Sequence, residues 1–119
     1  MITIVFSDLH GNLPALTKLR DLHPECNNWL SLGDNVNYGP WSDECVQFIE
    51  EELDCRCLLG NHEEYFLCGV YPGQNVVARA FFEFCYERFS QQNIIHKYLD
   101  SIDIGSYHCT HTVGDKYIF

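Results

Sequence analysis

The chain has 119 residues and a net charge of −10, because seven Lys and Arg residues stand against seventeen Asp and Glu residues. This length is enough for one small hydrophobic core, so we expect a single domain over residues 1–119. A strongly acidic surface repels phosphate backbones, which argues against non-specific nucleic-acid binding.

The cysteine content and the apolar runs indicate a cytoplasmic protein. Seven cysteines are an odd number and cannot all pair within one chain. The apolar run from Ile2 enters the first predicted strand at once, which leaves no room for a signal peptide. No apolar run approaches the roughly 20 residues that a membrane span needs. We therefore expect reduced thiols, a cytoplasmic location and no membrane partner.

The first sixty residues alternate between short apolar runs and amphipathic stretches. The apolar runs predict strands at Ile2–Phe6, Trp29–Leu32 and Cys55–Leu59, the first of them covered on both faces. Between these strands, Asn12 is expected to cap one helix and Ser42 a second helix. The order β-α-β-α-β predicts a parallel sheet flanked by helices, which is an α/β fold.

The rest of the chain is predicted to be mostly helical. Helices are expected at Glu63–Cys68, Asn75–Phe89 and Gln91–Leu99, followed by a fourth strand of the sheet at Ile104–Cys109. The second of these helices is rich in aromatic residues. We expect them to pack the helix against the sheet, and an aromatic recognition surface is the alternative.

Three polar strings follow the first three predicted strands. Residues 6–12 read Phe-Ser-Asp-Leu-His-Gly-Asn, residues 32–35 read Leu-Gly-Asp-Asn, and residues 59–63 read Leu-Gly-Asn-His-Glu. In open α/β sheets, ligands bind at the carboxyl ends of the strands. Oxygen ligands beside imidazoles suit divalent ions such as Mn²⁺, Fe²⁺ or Zn²⁺. The strings therefore predict a metal site at this edge of the sheet.

Together the three strings resemble those of the calcineurin-like metallophosphoesterase superfamily, which read Asp-x-His, Gly-Asp and Gly-Asn-His-Asp/Glu. The string from Gly33 to Pro40 is similar to the Gly-Asp-x-Val-x-Tyr-Gly-Pro of a bacterial branch of small phosphoesterases. Tyr38 stands where the protein phosphatases carry an arginine that holds phosphate, which weighs against that branch. The resemblance implies the first half of a four-layer αββα sandwich, with the second sheet largely absent.

The resemblance also implies a site in which two metal ions share one carboxylate and activate a water for attack on phosphorus. Asp8 and His10 would bind the first metal, and Asp34 would bridge both metals. Asn61 would bind the second metal through its amide oxygen. His62 would be a catalytic residue that protonates the leaving-group oxygen or stabilises charge there.

Further residues follow from the same resemblance. His108 fits the family's lone histidine after a later strand and is expected to be a metal ligand, with His111 as a possible substitute. Asn12 and Glu63 would support the site, Glu63 by orienting His62. The sequence contains no Gly-His-x-His, the motif that supplies one more histidine to each metal in the family.

Two divalent metal ions are therefore the expected cofactors, Mn²⁺ first, with Fe, Zn²⁺, Mg²⁺ and Ni²⁺ as alternatives. The expected substrate is a phosphomonoester or phosphodiester, and dinucleoside polyphosphates or phosphoproteins are alternatives. Specificity is expected from the loop at 38–41 and the aromatic helix. Two other hypotheses remain open. One is a family remnant that binds metal or a partner without efficient turnover, and the other is an α/β domain whose motifs serve only as turns and caps.

An incompletely covered sheet predicts self-association or marginal stability, with metal binding stabilising the folded state. The apolar Trp29, Phe81, Phe82 and Phe119 are expected to add surface that a second sheet would bury.

Overall fold

A parallel sheet of three strands forms the centre of the fold. The computed structural model describes residues 2–112, and its first strands are β1 (Ile4–Phe6), β2 (Trp29–Ser31) and β3 (Arg56–Cys57). Their order in the sheet is β1-β2-β3, and both pairings are parallel. The predicted β-α-β-α-β arrangement is confirmed.

Two helices connect these strands and pack on each other. Helix α1 spans Leu13–Leu22 and begins where predicted, since Oδ1 of Asn12 accepts a hydrogen bond from its first turn at 3.1 Å. Helix α2 spans Ser42–Glu51, and Ser42 is its first residue rather than its cap. The Oγ atom of Ser42 instead accepts a hydrogen bond from the N–H of Asn37 at 2.9 Å. This hydroxyl therefore holds the loop after β2.

Three further helices follow β3, namely α3 (Asn61–Cys68), α4 (Val76–Glu87) and α5 (Gln92–Ile95). The rings of Phe66 and Phe82 lie 5.6 Å apart, edge to face, and join α3 to α4. The buried Phe82 of α4 thus packs against another helix rather than directly on the strands. Among the helices of residues 2–112, none combines the length and apolar character that a membrane crossing requires.

The predicted fourth parallel strand is wrong. The segment forms an antiparallel pair, β4 (Ile102–Ile104) and β5 (Tyr107–Cys109), separate from the parallel sheet. Gly105 has a φ of 56°, the left-handed conformation that a tight hairpin turn requires. The free edge of β3 is met instead by Leu99, whose N–H donates to the carbonyl of Cys57 at 3.0 Å.

The exposure of the large apolar residues differs from the prediction. Trp29 and Phe82 are buried and add nothing to the open surface, whereas Phe81 is exposed as expected. Val5 is 50% exposed, so β1 is not covered on both faces. Phe119 lies outside the described residues.

Candidate metal centre

The loops after β1 and β2 bring three predicted ligands to one edge of the sheet. The N–H of Asp8 donates to the carbonyl of Gly33 at 3.0 Å, and the N–H of His10 donates to the carbonyl of Asp34 at 2.9 Å. The two loops thus remain paired beyond the ends of their strands. This pairing fixes the separation between the side chains of Asp8, His10 and Asp34.

All three predicted ligands have a left-handed backbone conformation, with φ of 56° at Asp8, 49° at His10 and 60° at Asp34. Residues other than glycine adopt it rarely, and such strain concentrates at functional sites. Gly60, which follows β3, makes room for the arrangement, because a Cβ atom there would overlap the carboxylate of Asp34.

The carboxylate of Asp34 is the buried centre of this site. Its Oδ1 accepts a hydrogen bond from the N–H of His62 at 2.9 Å, and its Oδ2 lies 3.1 Å from Nε2 of His111. Burial raises the pKa of Asp34, and the hydrogen bond from His62 opposes that rise. A cation close to this carboxylate would stabilise its charged form.

Asp34 also belongs to two groups of potential ligand atoms. One group contains His10, Asp34 and His62, and the other contains Asp8, Asp34 and His111. Within each group the ligand atoms lie within 4.8 Å of one another. The carboxylate of Asp34 is thus common to both groups, as a ligand shared by two metal ions would be.

The hydrogen bonds of His10 and His111 direct Nε2 of each ring into the site. Nδ1 of His10 lies 3.0 Å from the carbonyl oxygen of Val36, and Nδ1 of His111 lies 2.6 Å from that of Leu32. Because a carbonyl oxygen only accepts, each Nδ1 carries the proton, and Nε2 of the neutral ring holds the lone pair. Metal-binding histidines are usually held by hydrogen bonds of this kind.

His62 has the opposite arrangement. Oδ1 of Asn37 accepts from the N–H of Tyr38 at 2.8 Å, so the Nδ2 group of Asn37 is the one that faces Nδ1 of His62, at 3.0 Å. Nδ1 of His62 therefore accepts, and Nε2 carries the proton. Burial, with His10 nearby, lowers the pKa of His62 to about 4, which keeps the ring neutral at pH 7. This ring is a hydrogen-bond donor toward the site.

The amide of Asn61 completes a donor set that fits a divalent cation. Its Oδ1 lies 3.1 Å from Nε2 of His111, while its Nδ2 donates to the hydroxyl of Tyr65 at 3.0 Å. In this orientation an amide oxygen, an imidazole lone pair and the carboxylate of Asp34 converge, as a metal requires. In the reverse orientation Nδ2 would donate to Asp34 at 2.9 Å and to His111, which satisfies the same groups without a cation.

Glu63 holds the loop after β2 rather than the ring of His62. Its buried carboxylate accepts hydrogen bonds from the N–H of Asp34 at 2.7 Å and from the N–H of Asn35 at 2.8 Å. Burial and the nearby Asp34 raise the pKa of Glu63 to about 7, and the backbone hydrogen bonds oppose that rise. The orientation of His62, which the sequence attributed to Glu63, is instead set by its hydrogen bond with Asn37.

Comparison with known proteins identifies the family. The sequence matches the calcineurin-like phosphoesterase family over residues 1–117. The chain belongs to this family. A solved metallophosphoesterase from Sphaerobacter thermophilus superimposes on 91% of the chain with a TM-score of 0.73 and 24% sequence identity. A proposed diadenosine tetraphosphatase superimposes on 92% of it with the same TM-score of 0.73 and 21% identity. These likenesses show a shared fold.

The chain spans about half the length of those solved proteins. It covers 45% of the first chain and 49% of the second. An uncharacterized protein of Methanocaldococcus jannaschii is 41% identical over 61 residues, which make up 50% of this chain and 25% of that protein. The predicted family is confirmed, and the match is to part of the family's fold.

Two residues predicted for the metal site, His108 and Asn12, make other contacts. His108 is exposed on β5, and its Nδ1 lies 2.6 Å from Oδ1 of Asp103, directly opposite on β4. Cross-strand partners lie on the same face of a hairpin, so the side chain of His108 pairs with that of Asp103 on this face. Asn12 is exposed and acts as the cap of α1. His111, predicted only as a substitute, is the later histidine that reaches Asp34.

Asn37 is a site residue that the sequence did not predict. Its φ is 76°, and its side-chain amide links the N–H of Tyr38 to the ring of His62. One signal was available, because asparagine tolerates the left-handed conformation better than most residues. An asparagine three residues after a predicted ligand is thus a reasonable candidate for a positioning residue in such a loop.

Proposed function

We propose that this chain is the metal-binding part of a phosphoesterase that hydrolyses phosphomonoesters or phosphodiesters at two divalent metal ions. The observation that carries the proposal is the position of Asp34, whose carboxylate lies within 4.8 Å of ligand atoms of His10, Asp8 and His111. Hydrolases with two metals use such a shared ligand to hold the ions about 3.5–4 Å apart. Membership of the calcineurin-like phosphoesterase family supports the same chemistry.

The family resemblance divides the ligands between the two metals, because the two groups of ligand atoms place Asp8 with His111. Nε2 of His10 also lies 3.7 Å from Oδ1 of Asp8. Asp8 and His10 would bind the first metal, while Asn61 and His111 would bind the second. We give His111 this role because its Nε2 lies 3.1 Å from both the Asp34 carboxylate and the Asn61 amide oxygen. The mixed oxygen and nitrogen donors suit Mn²⁺ first, with Fe, Zn²⁺, Mg²⁺ and Ni²⁺ as alternatives. The metals would supply Lewis acidity and a water activated for attack on phosphorus.

His62 would act on the leaving group rather than as a ligand. Its Nε2 carries the proton because Asn37 donates to Nδ1, so the ring presents a donor and not a lone pair. The ring is also neutral at pH 7, since its pKa is lowered to about 4. We therefore favour a hydrogen bond that stabilises negative charge on the leaving-group oxygen.

A metal- or partner-binding module without efficient turnover is the second candidate function. It is favoured by the reverse orientation of the Asn61 amide, in which Nδ2 donates to Asp34 and His111 and no amide oxygen faces the site. The same metal site would then have fewer ligands and weaker Lewis acidity. Metal binding without hydrolysis is the behaviour that separates this candidate from the first.

We also propose a cytoplasmic location and a small phosphate ester as the substrate. All seven cysteines are free thiols in the structure, as expected where thiols are kept reduced. The net charge of −10 disfavours long polyanions as substrates.

The test is the variant Asp34→Asn, which keeps the shape of the side chain but removes the charge shared by both metals. Metal content would be measured by elemental analysis after incubation with Mn²⁺, beside hydrolysis of a chromogenic aryl phosphomonoester and phosphodiester. We expect metal occupancy and hydrolysis to collapse in Asp34→Asn and to persist in Asp21→Asn, an exposed aspartate on α1. Unchanged occupancy in Asp34→Asn would overturn the dinuclear site.

A further inference from the structure

Tyr38 stands beside the metal centre and connects it to α4. Its ring centroid lies 4.9 Å from that of His10 and 5.0 Å from that of His62. On its other side the ring of Phe81 lies 6.2 Å away, edge to face. The two aromatic rings therefore extend from the predicted catalytic and metal-binding histidines outward to the surface.

Both rings remain open to solvent, since Tyr38 is 39% exposed and Phe81 is 47% exposed. The packing of α4 does not require Phe81, because Phe82 and Cys85 are the buried residues of that helix. A pair of exposed apolar rings beside a polar site is a common feature of ligand-binding surfaces.

The backbone holds Tyr38 in this place against its conformational preference. Its φ is 68°, a left-handed value that is unusual for a bulky residue. The hydrogen bond from its N–H to Oδ1 of Asn37 maintains the conformation, as does the bond from the N–H of Gly39 to the carbonyl of His10 at 2.8 Å. The loop thus positions the Tyr38 ring at the metal centre, as expected for strain that serves a function.

Tyr38 also forms part of the wall of a cavity of about 420 Å³, a size that accommodates a small ligand. The other residues that line this cavity are Ser7, Asp8, His10, Leu32, Asp34, Asn61, His62, Thr110 and His111. Most of this wall is thus polar and suited to a phosphate on metal ions, and Tyr38 adds an aromatic ring to it.

We propose that Tyr38 and Phe81 form a stacking subsite for a planar aromatic group esterified to the phosphate, and that they determine substrate specificity. The inference rests on the proposed function, because the phosphate would be held by the metal centre. Tyr38 lies close enough to His10 and His62 to meet a ring bonded directly to the phosphate. Phe81, one ring farther out, would meet a base that a ribose separates from the phosphate.

The test uses the full chain with Mn²⁺ and compares three ligands by titration calorimetry. Adenosine 5′-monophosphate and phenyl phosphate carry an aromatic group, and ribose 5-phosphate carries the same kind of phosphate without one. We expect at least one aromatic ligand to bind about tenfold more tightly than ribose 5-phosphate, the effect of stacking one ring on an aromatic side chain. An advantage of phenyl phosphate alone assigns the subsite to aryl esters, and an advantage of the nucleotide assigns it to nucleotides.

Variants of α4 test whether Phe81 is responsible for the tighter binding of the nucleotide. Phe81→Ala and Phe81→Leu should each remove most of the advantage of the nucleotide while leaving the affinity for ribose 5-phosphate unchanged. Phe84→Ala is the matched control, because Phe84 is 46% exposed on the same helix but its ring is stacked by Arg88 at 3.7 Å. If only phenyl phosphate binds more tightly than ribose 5-phosphate, Tyr38→Gly should remove that difference in affinity. Glycine is used at this position because it tolerates the positive φ.

The possible failures are distinguishable. Equal affinity for all three ligands would overturn the aromatic subsite and leave the metal centre intact. An equal loss of affinity for the nucleotide in Phe84→Ala and Phe81→Ala would overturn the assignment to Phe81. If Mn²⁺ binds but none of the phosphates does, the subsite is wrong. If Mn²⁺ itself does not bind in a manner that depends on Asp34, the proposed function also fails.

Discussion

The Oε1 atom of Glu63 accepts a hydrogen bond from the N–H of Asp34 at 2.7 Å, although the two residues follow different strands. The same carboxylate accepts from the N–H of Gly60 at 2.8 Å, so one buried side chain joins the loops after β2 and β3. This link holds the backbone of Asp34 in a position from which its carboxylate takes part in both groups of ligand atoms.

We expect Glu63→Gln to lower stability and to weaken metal binding. Glutamine presents an NH₂ group to backbone N–H groups, so at least one buried donor loses its acceptor, at a cost of about 1–3 kcal/mol. Urea unfolding and Mn²⁺ titration would measure the two effects. Glu64→Gln, an exposed position on the same helix, is the control. Equal stability of the two variants would contradict the structural role of Glu63.

His62→Ala should separate metal binding from chemistry. Because Nε2 of His62 carries a proton, we expect the variant to retain its metal content. Turnover should fall by about 10²–10³-fold, the usual contribution of one hydrogen bond to charge that develops in the transition state. Elemental analysis beside hydrolysis of an aryl phosphodiester measures both, with His96→Ala at an exposed position as the control. A variant that loses its metal would identify His62 as a ligand.

Phe66→Ala is expected to be the most damaging change to the helical part of the core. Phe66 is fully buried, and its ring lies 5.0 Å from that of Phe89 and 5.8 Å from that of Tyr86. Truncating such a side chain costs about 3–5 kcal/mol, because it loses apolar burial and leaves a cavity. Phe84→Ala should cost only about 1 kcal/mol or less, since it mainly loses stacking by Arg88. Comparable urea midpoints for the two variants would show that α3 does not anchor the core.

Self-association through an uncovered edge of the sheet remains a prediction of the sequence, and we now assign it to β1. β1 is an end strand of the three-stranded sheet, and Val5 and Ile2 are exposed beside it. An unpaired apolar edge favours association. Sedimentation velocity over a range of concentrations should show dimers or larger species that Val5→Lys reduces. Val70→Lys, an exposed position after α3, should leave them unchanged. A wild-type monomer at every concentration would disprove the prediction.

The sequence by itself determined the elements whose signals are local. The apolar runs and Asn12 defined the β-α-β-α-β order, because strand and helix periodicity and capping act over a few neighbouring residues. The three polar strings likewise located Asp8, His10, Asp34 and Asn61 at strand ends. Parallel strands bring such ends to one edge, so the structure gathers these residues as the topology predicts.

Only the tertiary structure decided which later histidine reaches Asp34 and what Glu63 does. His108 and His111 lie too close in sequence for spacing to choose between them, and the choice follows from the hairpin that pairs His108 with Asp103. Glu63 is buried only because loops from two strands converge on its carboxylate. Burial and hydrogen bonding of this kind depend on residues distant in the chain, and local sequence patterns do not encode those contacts.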